Sequence, residues 1–415
     1  MTLKRVVVTG IGALTPIGNT YPEYKEGLKA GKSGANLITR FDASLFKTKF
    51  ACELKGFDIG NFMDRKEARK MDPFAQYAMV VADEAIKDSN LPLSEVNPHR
   101  AGVIWGSGIG GLFTFQEEVK SFARGDGTPR FNPFFIPKMI PDLSAGHISI
   151  KYGFRGPNFA TVSACASSTN AIYDAYTYIR LGKADIIISG GSEAAVTEAG
   201  IGGFNAMKAL SERNDSPETA SRPYDKDRDG FVLGEGAGAL VLEEYEYAKK
   251  RGAKIYAEII GGGMSADAYH ITAPHPDGAG ITHVMVSALE EAGIKPSDVD
   301  YINTHGTSTP LGDIGEIRAI EKVFGEHSYK MNISSTKSMT GHLLGAAGAI
   351  EAIACIMAIN DSVIPPTINH FTDDDGLDKR LNLTFNAAQK REVKVALSNT
   401  FGFGGHNASV LLKKI

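Results

Sequence analysis

The chain has 415 residues, of which 43% are apolar and 22% are charged, and its 44 basic and 48 acidic side chains give a net charge of −4. This composition, with 46 glycines that follow no three-residue period, excludes a disordered chain, a collagen and a coiled coil. A slightly acidic chain has no global attraction to nucleic acid, so we expect no nucleic-acid partner, and any anionic partner requires a local basic patch.

The chain lacks the signals of secretion and of membrane insertion. Its three cysteines, Cys52, Cys165 and Cys355, are too few and too widely spaced for a disulfide framework or a zinc site. The opening MTLKRVVVTGIGALTPIG is broken by Thr9 and glycines, and it predicts a strand and a turn instead of a signal peptide. The apolar stretch 343–359 is shorter than the roughly 20 residues of a bilayer span and predicts a buried helix. We therefore expect a cytoplasmic protein without membrane contact.

Short β-branched runs alternate with helical patterns along the whole chain, and most of them end in glycine or a small polar residue. Nearly continuous apolar strands are typical of sheets that helices cover on both faces, so the predicted fold class is α/β. The predicted strands include VVVTG, AGVIWGSG, ADIIISGG, GALVLEE, AEIIGGG, VDYINTHG, MNISSTKS and KVALSNT.

Two stretches of the chain have the same local plan. The strand NFATVSA reaches Cys165 and opens a helix of small residues, and the strand MNISSTK reaches a turn with His342 and opens another. The runs VVVTGIGALTP and AEIIGGGMSAD are candidate first strands of two repeated halves. Repeated βα units arise in any α/β protein, so the pattern leaves both duplication and coincidence open.

A basic run lies early in the chain, in DRKEARKMD. Lys66, Arg69 and Lys70 are spaced i, i+3 and i+4, which predicts one face of a helix. Without other information, such a run is typical of a solvated helix face.

Two motifs resemble ligand sites but lack their supporting residues. Glycines in GSGIGG at 106–111 match the dinucleotide fingerprint, yet no second strand with an acidic end follows about 20 residues later, which favours close backbone packing or a substrate-tunnel wall. Asp225, Asp227 and Asp229 match half of a calcium loop, but Gly236 stands where the bidentate Glu belongs. A turn with aspartates that cap backbone amides is the favoured interpretation.

Cys165 is the candidate nucleophile. It follows an apolar strand in TVSACASSTNAI, at the predicted first turn of a helix. A helix N-terminus lowers a thiol pKa and supplies donors to an oxyanion. The alternative is a small buried hydrophobic residue, an interpretation that suits Cys52 and Cys355.

Two histidines end predicted strands among glycine, serine and threonine. His305 lies in YINTHGTSTP and His342 in SSTKSMTGHLLGAAG, and sites assemble at such strand ends, although either histidine alone could be structural. Lys337 and Glu351 could pair nearby and hold the His342 imidazole neutral.

The C-terminal SNTFGFGGHNAS predicts a glycine-rich turn whose amides face a ligand, with Phe401 and Phe403 as shields. Taken in order, SACASS, THGTSTP, KSMTGHLLGAAGAIEA and NTFGFGGHNAS resemble the β-ketoacyl-[acyl-carrier-protein] synthases of fatty-acid elongation. The similarity extends over essentially the whole chain. It implies a thiolase-like fold, two similar α/β halves in a five-layered αβαβα sandwich, usually a homodimer. The implied halves are 1–255, with the nucleophilic cysteine, and 256–415, with both histidines.

The resemblance also indicates a branch of the family. FGFGGHN has no second cysteine, unlike the thiolases, and His342 stands where initiating enzymes carry Asn. Cys165 is present, unlike in chain-length-factor homologues. Ile109 matches the bulky residue associated with the synthase II branch.

The resemblance implies a decarboxylative Claisen condensation that needs no cofactor and no metal. Cys165 would accept an acyl group from acyl carrier protein, while its own amide and that of Phe403 hold the oxyanion. His305 and His342 would hydrogen-bond the malonyl thioester carbonyl during decarboxylation. Lys337 and Glu351 would form the ion pair that orders His342.

Further roles are implied by position. The pantetheine arm would contact Thr307 and Thr309, and the acyl tunnel and its gate would be formed by Ile109, Phe204, Phe401 and Phe403. Docking of the acidic carrier protein would use Lys66, Arg69, Lys70, Arg130 and Lys208, with Phe131 departing from a basic position in some relatives. A monovalent cation, which the reaction does not require, would lie near Asn303, Glu351, Ser398 and Asn399.

Two rival functions stay open at this point. A polyketide-type ketosynthase is disfavoured because such domains usually belong to longer multienzymes. A non-catalytic homologue that binds carrier protein or lipid is disfavoured by the intact Cys165, His305 and His342. The preferred acyl chain length is not indicated by any motif.

Overall fold

The computed structural model describes residues 3–415, so the first two residues of the predicted 1–255 half lie outside it. The strands are β1 Val6–Leu14, β2 Asn36–Leu37, β3 Phe50–Ala51, β4 Ala101–Gly106, β5 Asn158–Thr161, β6 Ile186–Glu193, β7 Gly236–Glu244, β8 Ala257–Ala266, β9 Tyr301–Asn303, β10 Asn332–Ser334, β11 Val363–Ile364, β12 Gln389–Lys390, β13 Val395–Gly402 and β14 His406–Lys413. The α-helices are α1 Tyr21–Ala30, α2 Arg65–Ala68, α3 Pro73–Asp88, α4 Leu112–Arg124, α5 Phe135–Met139, α6 Leu143–Tyr152, α7 Ser167–Arg180, α8 Glu198–Ala206, α9 Tyr245–Lys250, α10 Ala279–Ala292, α11 Pro310–Phe324, α12 Lys337–Thr340 and α13 Ala347–Asp361.

Ten strands form one hydrogen-bonded array in the order β10-β9-β13-β14-β8-β1-β7-β6-β4-β5. When the five strands on each side of the β8–β1 contact are numbered in chain order, both sides have the order 3-2-4-5-1 from the outer edge inward. On each side the second strand is parallel to the third and fourth, and the other pairs are antiparallel. The predicted pair of similar α/β halves is thereby confirmed. The boundary at 255/256 falls between α9 and β8 and stays a prediction.

The helices form the remaining layers. The five strands on each side of the β8–β1 contact are called the first sheet, which contains β1, and the second sheet, which contains β8. Helices α7 and α13 contact each other and strands of both sheets, so they lie between them. Helix α3 packs on β1 and β7 outside the first sheet, and α10 packs on β8 and β14 outside the second. This arrangement is the expected five-layered αβαβα sandwich. It follows from strands such as β1, β6 and β7, which are buried along their whole length and need cover on both faces.

The apolar stretch predicted at 343–359 is a central core helix. Residues 344–361 are long and apolar enough to cross a membrane by composition, but nearly all of them are buried inside the protein. A helix that is apolar all round has no solvent face, so it belongs between two sheets. It begins at Ala347, because a 3-10 turn at Leu344–Ala346 precedes it.

The predicted helix face at 65–70 is wrong in extent. Helix α2 is one turn long: Asp64 caps its start, and it ends at Ala68. The next helix begins at Pro73, and a proline disfavours helical backbone in the residue before it, so the chain leaves the helix first. Lys66 and Arg69 are exposed, and both Arg69 and Lys70 lie beyond the end of the helix, where Lys70 pairs with Glu67.

The aspartate-rich turn holds backbone amides, as favoured by the sequence. The Asp225 carboxylate is buried and accepts hydrogen bonds from the N–H groups of Asp227, Phe371 and Thr372. Through these contacts the turn links structurally to the segment near residue 371.

Candidate active site

Cys165 lies in a tight turn between β5 and α7. The turn is a 3-10 helix at Ala164–Ala166, and Ala164 has a φ of +51°, in the left-handed region. The end of β13 approaches this turn closely: a Cβ on Gly402 would lie 2.6 Å from the Ser163 carbonyl oxygen and 3.1 Å from the Cys165 nitrogen. The thiol is therefore fixed between the start of a central helix and the end of a strand of the other half.

The structure brings the three predicted catalytic side chains together. His342 Nε2 lies 3.0 Å from Cys165 Sγ, and the His305 and His342 rings lie 5.3 Å apart at 86°. The sulfur and one nitrogen of each imidazole all lie within 4.8 Å of one another. This donor set would also accept zinc, although the same geometry suits a nucleophile with two neutral hydrogen-bonding partners.

The expected lowering of the thiol pKa is wrong for the resting site. Burial raises the pKa of Cys165 to about 12, because the thiolate would be poorly solvated there. The Lys337 charge and the Phe403 backbone N–H act in the opposite direction but do not outweigh burial. The position at a helix start therefore supplies donors, while the resting side chain is a neutral thiol.

Both histidines are neutral, which was expected for His342 alone. Burial lowers the pKa of His305 and of His342 well below 6.5, and the Lys337 ammonium lowers both further. Lys337 and Glu351 form a fully buried ion pair, close enough to His342 for the Lys337 charge to lower its pKa. Burial raises the pKa of Glu351 to about 7, and its contact with Lys337 opposes that shift.

Two carboxylates on α11 hold the loop that carries His305. Glu316 accepts hydrogen bonds of 2.9 Å from the backbone N–H groups of His305 and Gly306, and Asp313 accepts one of 3.1 Å from Ser308. Both side chains are buried, and burial raises their pKa values to about 7 and about 6. Neither carboxylate was predicted from the sequence. The spacing of two acidic residues three apart in LGDIGEI, directly after THGTSTP, could have indicated that both face the same loop.

A cavity of about 540 Å³ opens onto the triad. It contains every residue that was predicted to contact substrate, together with one predicted for docking. The predicted residues that line it are Ile109, Phe204, Lys208, Thr307, Thr309, Phe401 and Phe403. The Thr307 and Thr309 hydroxyls are 3.1 Å apart. Arg130 lies elsewhere, exposed in the loop between α4 and α5 and paired with Asp126.

Aromatic rings cover both imidazoles. Phe401 lies 5.6 Å from His305, between ring centroids, and Phe231 lies 5.3 Å from both His342 and Phe204. Phe231 was not predicted from the sequence. It follows the aspartate turn, and its backbone N–H and carbonyl pair with Ala209 and Ser211.

The glycines of GSGIGG serve close packing and the cavity wall. A Cβ on Gly106 would lie 2.4 Å from the Ser168 nitrogen in α7, so only glycine fits there. Gly108 and Ile109 line the cavity. The preference for packing and a tunnel wall over nucleotide binding agrees with these contacts.

The expected cation position offers three free oxygens. Asn303 Oδ1, Glu351 Oε2 and Ser398 Oγ are buried and accept no hydrogen bond from the described residues, and Asn303 lies opposite Ser398 in the β9–β13 register. Asn399 Oδ1 is already engaged by the Ser409 hydroxyl. Oxygen donors of this kind suit a hard cation, so three of the four residues fit one.

Comparison with protein families matches two models in succession. "Beta-ketoacyl synthase, N-terminal domain" matches residues 3–248, and "Beta-ketoacyl synthase, C-terminal domain" matches residues 256–371. The chain is 51% identical over 413 residues to 3-oxoacyl-[acyl-carrier-protein] synthase 2 of Synechocystis sp., covering 99% of this chain and 98% of the relative. It is 50% identical over 415 residues to the protein of that name from Coxiella burnetii, covering 100% of both.

Solved structures share the fold. A beta-ketoacyl synthase from Burkholderia phymatum has a TM-score of 0.92 and 34% identity, covering 99% of this chain and 100% of that one. A type II PKS ketosynthase in complex with its acyl-carrier protein has a TM-score of 0.90 and 33% identity, covering 100% of both chains.

Proposed function

The chain belongs to the beta-ketoacyl synthase family, and we propose that it lengthens acyl chains by condensing an acyl-enzyme with malonyl-acyl-carrier protein. This makes it a condensing acyltransferase of the 3-oxoacyl-[acyl-carrier-protein] synthase 2 type, in fatty-acid biosynthesis. The observation that carries the proposal is the 3.0 Å contact between His342 Nε2 and Cys165 Sγ, with His305 beside it. In addition, about half of this chain's residues are identical to those of enzymes with this name.

The first half-reaction transfers the acyl group to Cys165. Because the resting groups are a neutral thiol and a neutral imidazole, the thiol gives its proton to His342 as the sulfur attacks the thioester carbonyl. The bond between the carbonyl carbon and the carrier's sulfur breaks, and the carrier thiol leaves with the proton that His342 had accepted, so the imidazole is neutral again. The N–H groups of Cys165 and Phe403 hold the oxyanion, and the Phe403 N–H also favours the thiolate by lowering the pKa of Cys165.

The second half-reaction uses both histidines as neutral donors. The bond to the malonyl carboxylate breaks, carbon dioxide leaves, and the electron pair passes into an enolate. N–H groups of His305 and His342 stabilise the enolate oxygen, which requires the imidazoles to be uncharged donors fixed in place. The enolate carbon attacks the acyl carbonyl on Cys165, whose sulfur leaves as thiolate and takes up a proton from solvent to restore the resting neutral thiol. The ion pair of Lys337 and Glu351 orders His342, and the Lys337 charge keeps its imidazole neutral.

The cavity supports the remaining assignments. Thr307 and Thr309 present hydroxyls to the pantetheine arm, Ile109 and Phe204 form the acyl wall, and Phe401 and Phe403 form the gate. These proposals rest on the shared lining of one cavity. A monovalent cation would be held by the oxygens of Asn303, Glu351 and Ser398, with Asn399 behind them, where it would compensate local charge.

The acidic acyl carrier protein is the proposed macromolecular partner. With a net charge of −4 the enzyme needs a local positive surface, and electrostatic complementarity then guides docking. Lys66 and Arg69 are exposed, and Lys208 lies at the cavity. Lys70 contributes less than predicted because it pairs with Glu67. Arg130 completes the proposed set.

A homodimer is proposed from an uncovered face of the first half. Strand β5 ends the sheet and pairs only with β4 among the described strands, whereas the opposite edge strand, β10, forms an isolated bridge with the segment at Asn382, whose carbonyl accepts a hydrogen bond from the Ile333 N–H. An apolar patch of α4, α5 and their loop is exposed nearby in sequence, each side chain by 41% or more: Phe113, Phe115, Phe122, Phe131, Phe134 and Ile136. An open strand edge and a large apolar patch are both stabilised by pairing with a second copy.

Sedimentation of the protein at micromolar concentration tests the dimer. The wild type should sediment as a dimer and Phe122→Arg/Phe131→Arg as a monomer. Leu93→Arg, at an exposed apolar position after α3, is the matched control and should remain dimeric. A monomeric wild type, or a dimeric double variant, contradicts the proposed interface.

A cytoplasmic location is proposed from the cysteines. Cys52, Cys165 and Cys355 are all free thiols, as is usual in a reducing compartment.

The rival functions fit less well. The solved structure named for a type II PKS is 33% identical to this chain, against 50–51% for the 3-oxoacyl synthases. The assembled triad argues against a non-catalytic homologue.

Intact-mass spectrometry tests the proposed function. Incubation with a long-chain acyl-carrier protein should add one acyl mass, which peptide mapping places on Cys165, and malonyl-carrier protein should then release a 3-oxoacyl product. Cys165→Ala should remain unmodified, while Cys52→Ala, at another buried free thiol, should load normally. An unmodified Cys165 in the wild type would overturn the nucleophile assignment.

A further inference from the structure

Glu193 is a buried carboxylate that the reaction above does not use. It is the last residue of β6, ends an otherwise uncharged strand, and has no exposed surface. Its two oxygens accept five hydrogen bonds, at 2.7 to 3.2 Å, from the N–H groups of Gly108, Ile109, Gly110 and Gly345 and from the Ser107 hydroxyl. These hydrogen bonds partly offset the effect of burial on the pKa of Glu193, and a carboxylate that accepts this many of them holds its donors in place.

The donors come from both halves of the protein. Residues 107–110 follow β4 and include Ile109, which lines the cavity as the proposed acyl wall. Gly345 belongs to the turn Leu344–Ala346, which begins two residues after His342. One side chain therefore ties the acyl wall to the turn that follows the catalytic histidine.

The contacts around Glu193 leave no free space. A Cβ on Gly345 would lie 2.1 Å from the Gly108 nitrogen and 2.7 Å from Glu193 Oε2. A Cβ on Gly108 would lie 2.9 Å from Glu193 Oε2 and 3.1 Å from the Ala164 carbonyl oxygen. The glycines of the GSGIGG motif thus allow two loops to close on one carboxylate beside the nucleophile turn.

The internal repeat of the fold explains the position of Gly345. Ala164 and Leu344 have nearly equal φ angles, +51° and +48°, and each opens a 3-10 turn before a central helix. Gly345 therefore occupies, in the second half, the place that Cys165 occupies in the first. In the first half this position carries the thiol, and in the second its N–H is fixed by Glu193.

The charge of Glu193 acts against the chemistry. It raises the pKa of the Cys165 thiol, so it disfavours the thiolate. A favourable contribution of Glu193 has to come through the backbone groups that it holds.

We propose that Glu193 is a positioning residue that fixes Ile109 in the acyl wall and His342 against Cys165, and that it thereby helps to set acyl-chain preference. The inference rests on the proposed function, since it assigns a role within that site.

Glu193→Gln is the principal test, because it keeps the volume, removes the charge and replaces one acceptor oxygen with a donor. With the loop loosened, the ratio of kcat/KM for long and short acyl-carrier substrates should change by about tenfold. With a negative charge removed from beside Cys165, alkylation of the thiol by iodoacetamide at neutral pH should become about tenfold faster. A general loss of structure would slow turnover for every substrate equally and would not produce this pair of changes.

Glu84→Gln is the matched control. Glu84 is a half-buried carboxylate that accepts hydrogen bonds from the backbone N–H groups of Ala13 and Tyr21. Burial raises its pKa as well, to about 7. It does not line the cavity. The control should match the wild type in chain preference and in alkylation rate.

A second variant and a wild-type measurement keep the proposal testable if Glu193→Gln does not fold. Glu193→Asp keeps the charge but shortens the reach, so chain preference should change while alkylation does not. Burial raises the pKa of Glu193 to about 6, so below that pH the wild-type amides at 107–110 and 344–346 should lose hydrogen-exchange protection together, after correction for intrinsic rates.

The outcomes separate the inference from the function on which it rests. If the wild type transfers no acyl group, the proposed function fails, while hydrogen exchange still reports on the carboxylate. If the wild type is active but the Glu193 variants keep its chain preference, its alkylation rate and its exchange pattern, the positioning role is refuted.

Discussion

The ion pair behind His342 allows one prediction to be worked out in detail. Lys337 is 1% exposed and Glu351 0%, so removal of the lysine charge leaves a carboxylate without its counter-ion away from water. The substitution Lys337→Met keeps most of the volume and removes the charge. Breaking a buried pair from one side costs about 3–5 kcal/mol, whereas replacing both partners with apolar residues of similar volume is close to neutral. The double variant Lys337→Met/Glu351→Leu should therefore recover most of the lost stability.

The same variants have a different effect on the histidines. The Lys337 charge lowers the pKa of His305 and His342 in addition to burial. Without this charge both pKa values rise towards 6.5, so the histidines become protonated at a higher pH. The acid limb of the pH–rate profile for malonyl decarboxylation therefore moves to higher pH. Glu351 is not among the groups that shift either histidine, so the double variant should keep this change even though its stability recovers.

Two assays separate these effects. Urea denaturation followed by the fluorescence of the single tryptophan, the buried Trp105, measures the free energy of unfolding. Release of labelled carbon dioxide from malonyl-carrier protein across pH measures the acid limb. Lys226→Met removes one partner of an exposed pair with Asp375 and should change neither. The reasoning is refuted if the double variant is as unstable as the single one, or if the acid limb stays where it is in the wild type.

Three further predictions test other parts of the site. Lys66→Glu/Arg69→Glu should raise the KM for carrier protein at low salt, and the difference from the wild type should disappear at high salt. Lys295→Glu, at an exposed position after α10, is the control and should leave the KM unchanged. Equal KM values for the wild type and both variants would exclude the docking surface. Gly402→Ala, whose Cβ would lie 2.6 Å from the Ser163 carbonyl, should lower kcat by about a hundredfold by displacing the nucleophile turn, and an unchanged kcat in single-turnover kinetics would contradict that packing argument. Because burial depresses the pKa of His305 and His342, neither imidazole should titrate in NMR spectra as the pH falls through 6.5. The same histidines do bind protons in the unfolded chain, so they lower the free energy of unfolding below that pH. Titration of either imidazole near pH 6.5 would disprove their neutrality.

The residues that could be predicted are those whose signal lies in their own neighbourhood. Cys165, His305 and His342 each follow an apolar strand and precede a glycine-rich or small-residue turn, so local pattern indicated a strand-end site before any contact was known. Glu193 could not be identified in this way. Its role depends on Gly345, 152 residues further along the chain, and the only local signal is a single charge at the end of an apolar strand.

The basic run shows the limit of local spacing. Lys66, Arg69 and Lys70 have helical spacing, but a helix of one turn capped by Asp64 and followed by Pro73 does not reach all three. Helix length is decided by the packing and capping of both ends, and the spacing of a few charges does not contain that information.

The sequence by itself determined the α/β class, the two repeated strand–turn–helix units and the chemical groups of the triad, because strand burial, turn residues and reactive side chains are local properties. Only the tertiary structure decided the 3.0 Å contact between His342 and Cys165, the raised pKa of the thiol and the carboxylates of Glu193, Asp313 and Glu316 that hold the site. The physical reason is that desolvation and amide–carboxylate contacts depend on which distant segments pack together. A helix start that favours a thiolate in water holds a neutral thiol once two sheets have closed over it.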